Sequence, residues 1–108
     1  MRTIVLGRAA DDDLASIAAW TAAQFGARQA EAYIEALLDV FEELTEGEPL
    51  RSRGRDDIGP GLRTLHMTRP GRRGRHFILY RTDEHVVAIL RILHDSMEVE
   101  RHLPPSQD

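Results

Sequence analysis

The side chains able to do chemistry gather in the second half of the chain. Histidines stand at 66, 76, 85, 94 and 102, with Arg63, Arg91 and Arg101 among them, and cysteine is absent. Histidine moves protons near neutral pH and arginine grips phosphate or carboxylate, so such a set suits acid–base work on a phosphodiester or recognition of an anionic surface. The missing thiols exclude a disulfide framework and a thiolate metal site. His66 and His76 offer two metal ligands, but the spacing places no third, and paired surface histidines are more often solvated; no metal site is assigned. Arg91 interrupts an otherwise apolar run, where a guanidinium is expensive unless paired. Two readings stand for it: a buried bridge to Glu98 or Glu100 in the tail, or a charge opening onto a site. Asp11-Asp12-Asp13 read as the start of a helix rather than a metal triplet, because consecutive helical positions point apart.

The elements that must position these residues follow from periodicity. Residues 2–7 alternate as a short strand. Leu14, Ile17, Ala18, Thr21, Ala22 and Phe25 form one helical face, and Ala30, Tyr33, Ile34, Leu37, Val40, Phe41 and Leu44 a second. Gly26 separates them so closely that the two helices must form an antiparallel hairpin. Trp20 lies off the first stripe; it either fills the seam between the helices or anchors a partner. Residues 47–61 read as a long polar loop, 62–68 as a strand, and RPGRRG as an arginine-bearing turn.

Residues 76–94, HFILYRTDEHVVAILRILH, are the spine: two β-rich runs flanking Asp83-Glu84, with the second apolar on both faces and so central in its sheet. A tight turn at Asp83-Glu84 sets His76 opposite Arg91, and a turn near Gly71-Arg72 sets His66 opposite His76. One face then carries Thr64, His66, His76, Ile78, Tyr80, Val87, Ile89 and Arg91. The other carries Leu65, Met67, Phe77, Leu79, Ala88, Leu90 and Ile92, and is expected to receive the helices. The His66–His76–Arg91 row is the candidate site, and a one-residue slip would reverse the faces. Residues 95–103 read as a short amphipathic tail helix. The expected fold is α+β: an N-terminal strand, an antiparallel helical hairpin packed on a mainly antiparallel sheet of about four strands, and a short C-terminal helix.

At 108 residues the chain is read as one domain, 1–108, large enough to bury roughly two thirds of its unfolded surface. It has no run approaching the ~20 apolar residues of a membrane span and nothing like a signal peptide, so a cytoplasmic address is expected. The net charge of −4 conceals segregation: residues 1–50 carry −7, residues 51–81 carry +7 and residues 82–108 carry −4. A basic middle between acidic flanks points to one surface that meets anions, while the overall sign argues against a general nucleic-acid coat.

The order of motifs is informative as a whole. A strand, a helical hairpin with Phe25-Gly26 at its elbow, Gly61-Leu62-Arg63, His76-x-Ile78-x-Tyr80-Arg81, then Val87-x-Ile89-Leu90-Arg91-Ile92-Leu93-His94, and finally His102-Leu103, resembles the RelE/ParE toxin superfamily of type II toxin–antitoxin systems. The resemblance covers essentially the whole chain and is closest to the ParE branch. Messenger-RNA cleavage by the RelE branch needs a base, an acid and cations on the scissile phosphate. Aligned on that branch, Phe77 and Ser96 stand at two arginine positions and His102 at the catalytic tyrosine, leaving Arg63, Arg91, His94 and His102 as the only substitute ribonuclease set. The ParE resemblance implies instead a cofactor-free, non-enzymatic toxin that binds DNA gyrase and is neutralised by a ParD-like antitoxin in a hetero-oligomer, with no sequence-specific DNA binding by this chain. His66, His76, Arg91, His94, Met97 and Arg101 are the expected target contacts. Trp20, Tyr33, Arg69, Arg72, Arg73 and Arg75 are the expected antitoxin contacts.

Overall fold

The computed structural model describes residues 1–67, 75–97 and 101–103. Its element order is β1 (Thr3–Leu6), α1 (Arg8–Phe25), α2 (Ala27–Glu46), β2 (Arg53–Gly54), β3 (Leu62–His66), β4 (His76–Thr82) and β5 (Val86–His94). The five strands form one sheet in the order β1-β5-β4-β3-β2, in which β1 runs parallel to β5 and the other neighbours are antiparallel. As expected, β5 is interior. The fifth strand, β2, lies within the 47–61 segment, where alternation is too short to signal it. Residues 68–74, 98–100 and 104–108, and with them the arginine turn and the middle of the expected tail helix, lie outside the described residues; at the start of that expected helix Asp95 and Ser96 form a turn in which Met97 N–H donates to the His94 carbonyl.

The helical hairpin closes at Gly26, whose φ of 95° is a left-handed conformation that glycine adopts without steric cost. Helix α1 begins earlier than the acidic triplet suggested, at Arg8, with Gly7 before it and no side-chain cap; Asp11 sits in the first turn, where its charge suits the positive helix end. Gly7 also permits a close approach: its N–H donates to the Ile89 carbonyl at 3.0 Å, and a Cβ on Gly7 would lie 3.2 Å from that oxygen.

The β4–β5 register differs from the expected one in two ways. Asp83 N–H donates to the Val86 carbonyl at 3.0 Å, and Thr82 faces Val87, so the tight turn centres on Glu84-His85. A bulge then inserts Leu90, because Leu79 faces Arg91 while Tyr80 faces Ile89. On the other side, His66 faces Phe77 rather than His76. These shifts recombine the two expected faces. Leu65, Met67, Ile78, Tyr80, Val87, Ile89 and Ile92 form the core with Ile17, Leu37, Val40, Phe41 and Leu44 of the helices, so the helices cover the apolar half of the set expected to be half polar together with Leu65, Met67 and Ile92 of the other. Leu62 and Leu79, packed by Ile58, Phe77 and Leu90, form a smaller cluster. Among the described residues no helix is long and apolar enough to cross a membrane.

Candidate functional site

The expected His66–His76–Arg91 row is replaced by two separate constellations along β5. At one end, His76 on β4 faces His94 on β5, with ring centroids 5.5 Å apart and edge to face. Tyr33 reaches from α2 so that its hydroxyl lies 2.8 Å from His76 Nδ1, joining the helix to the sheet. His94 Nδ1 accepts the Ser96 backbone N–H at 3.2 Å and meets the Ser96 hydroxyl at 2.7 Å, which places the neutral ring's proton on Nε2. Asp95 spans this end: one carboxylate oxygen lies 3.4 Å from His66 Nε2, and the other 3.5 Å from His94 Nδ1 and 3.8 Å from Arg75 Nε. His66 thus joins the cluster through Asp95 rather than by facing His76.

Burial, and then the neighbouring His94 charge, hold the His76 pKa below the ordinary histidine value, and burial raises that of Tyr33. The half-buried, hydrogen-bonded position of His76 therefore favours its neutral ring. Among the described residues no group of three or more His, Asp or Glu side chains is arranged to hold a metal ion.

The second constellation surrounds Arg91. Its guanidinium fork grips Asp13 of α1, with Nε to Oδ2 at 2.7 Å and one terminal nitrogen to Oδ1 at 2.8 Å. The other terminal nitrogen donates to the His102 carbonyl at 2.6 Å, and Asp13 Oδ2 also accepts the Ile92 backbone N–H at 2.9 Å. Hydrogen bonding to Asp13 raises the Arg91 pKa further above neutrality, so the charge is fixed. The partner is Asp13 rather than a tail acid; Glu98 and Glu100 lie outside the described residues. Asp13 was missed as a site residue. The demand for a carboxylate was legible in Arg91, but nothing in the sequence says which of eighteen acids answers it.

Arg63 belongs to a third place. On β3, its Nε lies 2.7 Å from Glu48 and 3.0 Å from the Ser52 hydroxyl, which also bonds the hydroxyl of the fully buried Tyr80. Arg63 thus seats the 47–55 segment. The set Arg63, Arg91, His94 and His102 is not assembled around one point: Arg63 and Arg91 are held by different carboxylates on strands separated by β4, and His102 offers its backbone carbonyl to Arg91.

Trp20 does not fill the helical seam. It is 58% exposed and packs edge to face on Phe25, itself 64% exposed despite lying on the predicted apolar stripe, with centroids 5.9 Å apart. Met97 and Arg101 are exposed. Arg69, Arg72 and Arg73 lie outside the described residues.

Comparison with known proteins bears on the whole chain. The family model described as ParE toxin of type II toxin-antitoxin system, parDE, matches residues 4–99. Two relatives named Toxin ParE1, from Mycobacterium tuberculosis strains CDC 1551 / Oshkosh and ATCC 25618 / H37Rv, are each 33% identical over 100 residues, spanning 92% of this chain and 95% of theirs. The fold is similar to a chain from the chromosomal ParDE TA system of P. aeruginosa, with a TM-score of 0.68 and 23% identity, covering 87% of this chain and 96% of that one.

Proposed function

The chain belongs to the ParE toxin family of parDE type II toxin–antitoxin systems, and from that premise we propose that it arrests growth by binding DNA gyrase directly in the cytoplasm, without catalysing a reaction, and that a ParD-like antitoxin neutralises it in a hetero-oligomer. The observation that carries this reading is the family match over residues 4–99 together with 33% identity across 92% of the chain.

The geometry supports the non-enzymatic half of the reading. Ribonuclease action on a phosphodiester needs cations converging where charge develops. Arg63 and Arg91, the two cations of the substitute set, are each neutralised by a carboxylate at 2.7 Å in separate networks. The helical hairpin supports the antitoxin half. Trp20 and Phe25 form an exposed aromatic pair of the kind that anchors interfaces, and a disordered antitoxin segment that folds on binding would bury it.

The test is expression of the toxin alone with two parallel readouts. Inhibition of supercoiling by purified gyrase at growth-arresting concentrations is the expected result. Mapped cuts in ribosome-bound messenger with gyrase untouched would replace this reading with the ribonuclease one.

A further inference from the structure

Strand β1 accompanies β5 only from Val86 to Ile89. Beyond that point, among the described residues, no strand lies on the outer side of β5, and a side chain finishes the edge instead: Asp13 of α1 accepts the Ile92 N–H at 2.9 Å. The same carboxylate fixes the Arg91 fork through two bonds of 2.7 and 2.8 Å. A fork fixed in that plane leaves one terminal nitrogen aimed outward, and it donates to the His102 carbonyl at 2.6 Å. Residues 101–103 are thereby held at the strand edge by a backbone contact.

Asp13 is 15% exposed in its side chain and Arg91 20%, so little water competes for these bonds. On either side of His102 stand exposed groups suited to a protein surface, Arg101 and Leu103, the latter 39% exposed.

We infer that Asp13 is the positioning residue of the target-binding surface: by orienting Arg91 it docks residues 101–103 on the β5 edge and so presents Arg101 and Leu103 to the target. This rests on the toxin reading above, with Arg101 among the expected target contacts. Asp13 itself touches no partner. Its effect passes through Arg91, because asparagine can still accept the Ile92 N–H, but with one acceptor oxygen in place of two it cannot grip the guanidinium fork bidentately.

The experiment follows Asp13→Asn in the full-length toxin through three measurements: the rate of tryptic cleavage after Arg101, resolved by mass spectrometry from cleavage at other arginines; potency in growth arrest; and affinity for the cognate antitoxin. Cleavage after Arg101 is expected to accelerate, and growth arrest to weaken, by about tenfold, the scale of losing one hydrogen bond to a charged group. Antitoxin affinity is expected to stay within about twofold, as for a site without shared partners. Unchanged cleavage would overturn the docking step. A released segment with full growth arrest would overturn its part in target binding, and antitoxin affinity falling in step with potency would reduce Asp13 to a structural role. Should Asp13→Asn fail to fold, Arg91→Lys carries the same three readouts, since lysine keeps the charge but not the fork. Growth arrest does not presuppose gyrase: a wild-type toxin that arrests cells while sparing supercoiling removes the gyrase reading and leaves this one intact.

Discussion

At Arg91 a permanent charge sits on an interior strand, and its desolvation is offset by a bidentate carboxylate and a backbone carbonyl. Removing one partner of such a pair strands the other. Asp13→Ala should therefore lower unfolding free energy by about 2–3 kcal/mol in urea titrations, somewhat below the cost for a fully dry pair. His76 makes a different prediction, in pH. Its folded pKa lies below the ordinary histidine value, so the native state prefers the neutral ring and the unfolded state takes up the proton first. The sign follows: stability is complete above the unfolded value of about 6.5 and falls as pH drops from there through the depressed folded value. Urea midpoints at pH 7.5 and 5.5 should show that loss in the wild type and a smaller one in His76→Gln. Asp83 and Asp57 also have lowered values, but both are fully exposed and titrate in the carboxylate range, outside this window.

Among the elements, the helical hairpin was the easiest to read and the β4–β5 hairpin the most deceptive. Most of the α2 stripe is buried, at Ala30, Leu37, Val40, Phe41 and Leu44, with Tyr33 and Ile34 packed partly buried against the core, because a 3.6-residue period over five turns admits one orientation. Leu37→Ala should cost about 2–5 kcal/mol by chemical denaturation, the range for a fully buried leucine. Trp20→Glu, in contrast, removes a mostly exposed side chain. Its melting temperature should stay near the wild-type value, while antitoxin affinity measured by calorimetry should fall at least tenfold if the aromatic pair is an anchor. In the β-hairpin the alternation of apolar residues was visible, but both sets are apolar, so it could not select a face. The Leu90 bulge and the one-residue shift at His66 decided that instead. They swapped Ile92 and Arg91 between faces and moved His94, rather than Arg91, opposite His76.

Over the whole molecule, charge segregation sets how partners arrive. An acidic first half joined to a basic middle gives opposite fields that steer a charged antitoxin, so its association rate in stopped-flow should fall by about an order of magnitude between low and high salt, with a smaller change in dissociation. What the sequence by itself determined was the α+β class, the helical hairpin, the interior position of β5 and, through the order of its motifs, the toxin family. Those properties are local or cumulative: periodicity repeats along an element, and a family pattern sums weak matches over the chain. Only the tertiary structure decided that Arg91 meets Asp13 across 78 residues, that His76 meets Tyr33 and His94, and that Trp20 stays outside. Such pairings depend on a bulge, a turn offset and the rotation of one helix over a sheet. Each is a shift of about one residue, which composition leaves unchanged and which moves a side chain from one face to the other.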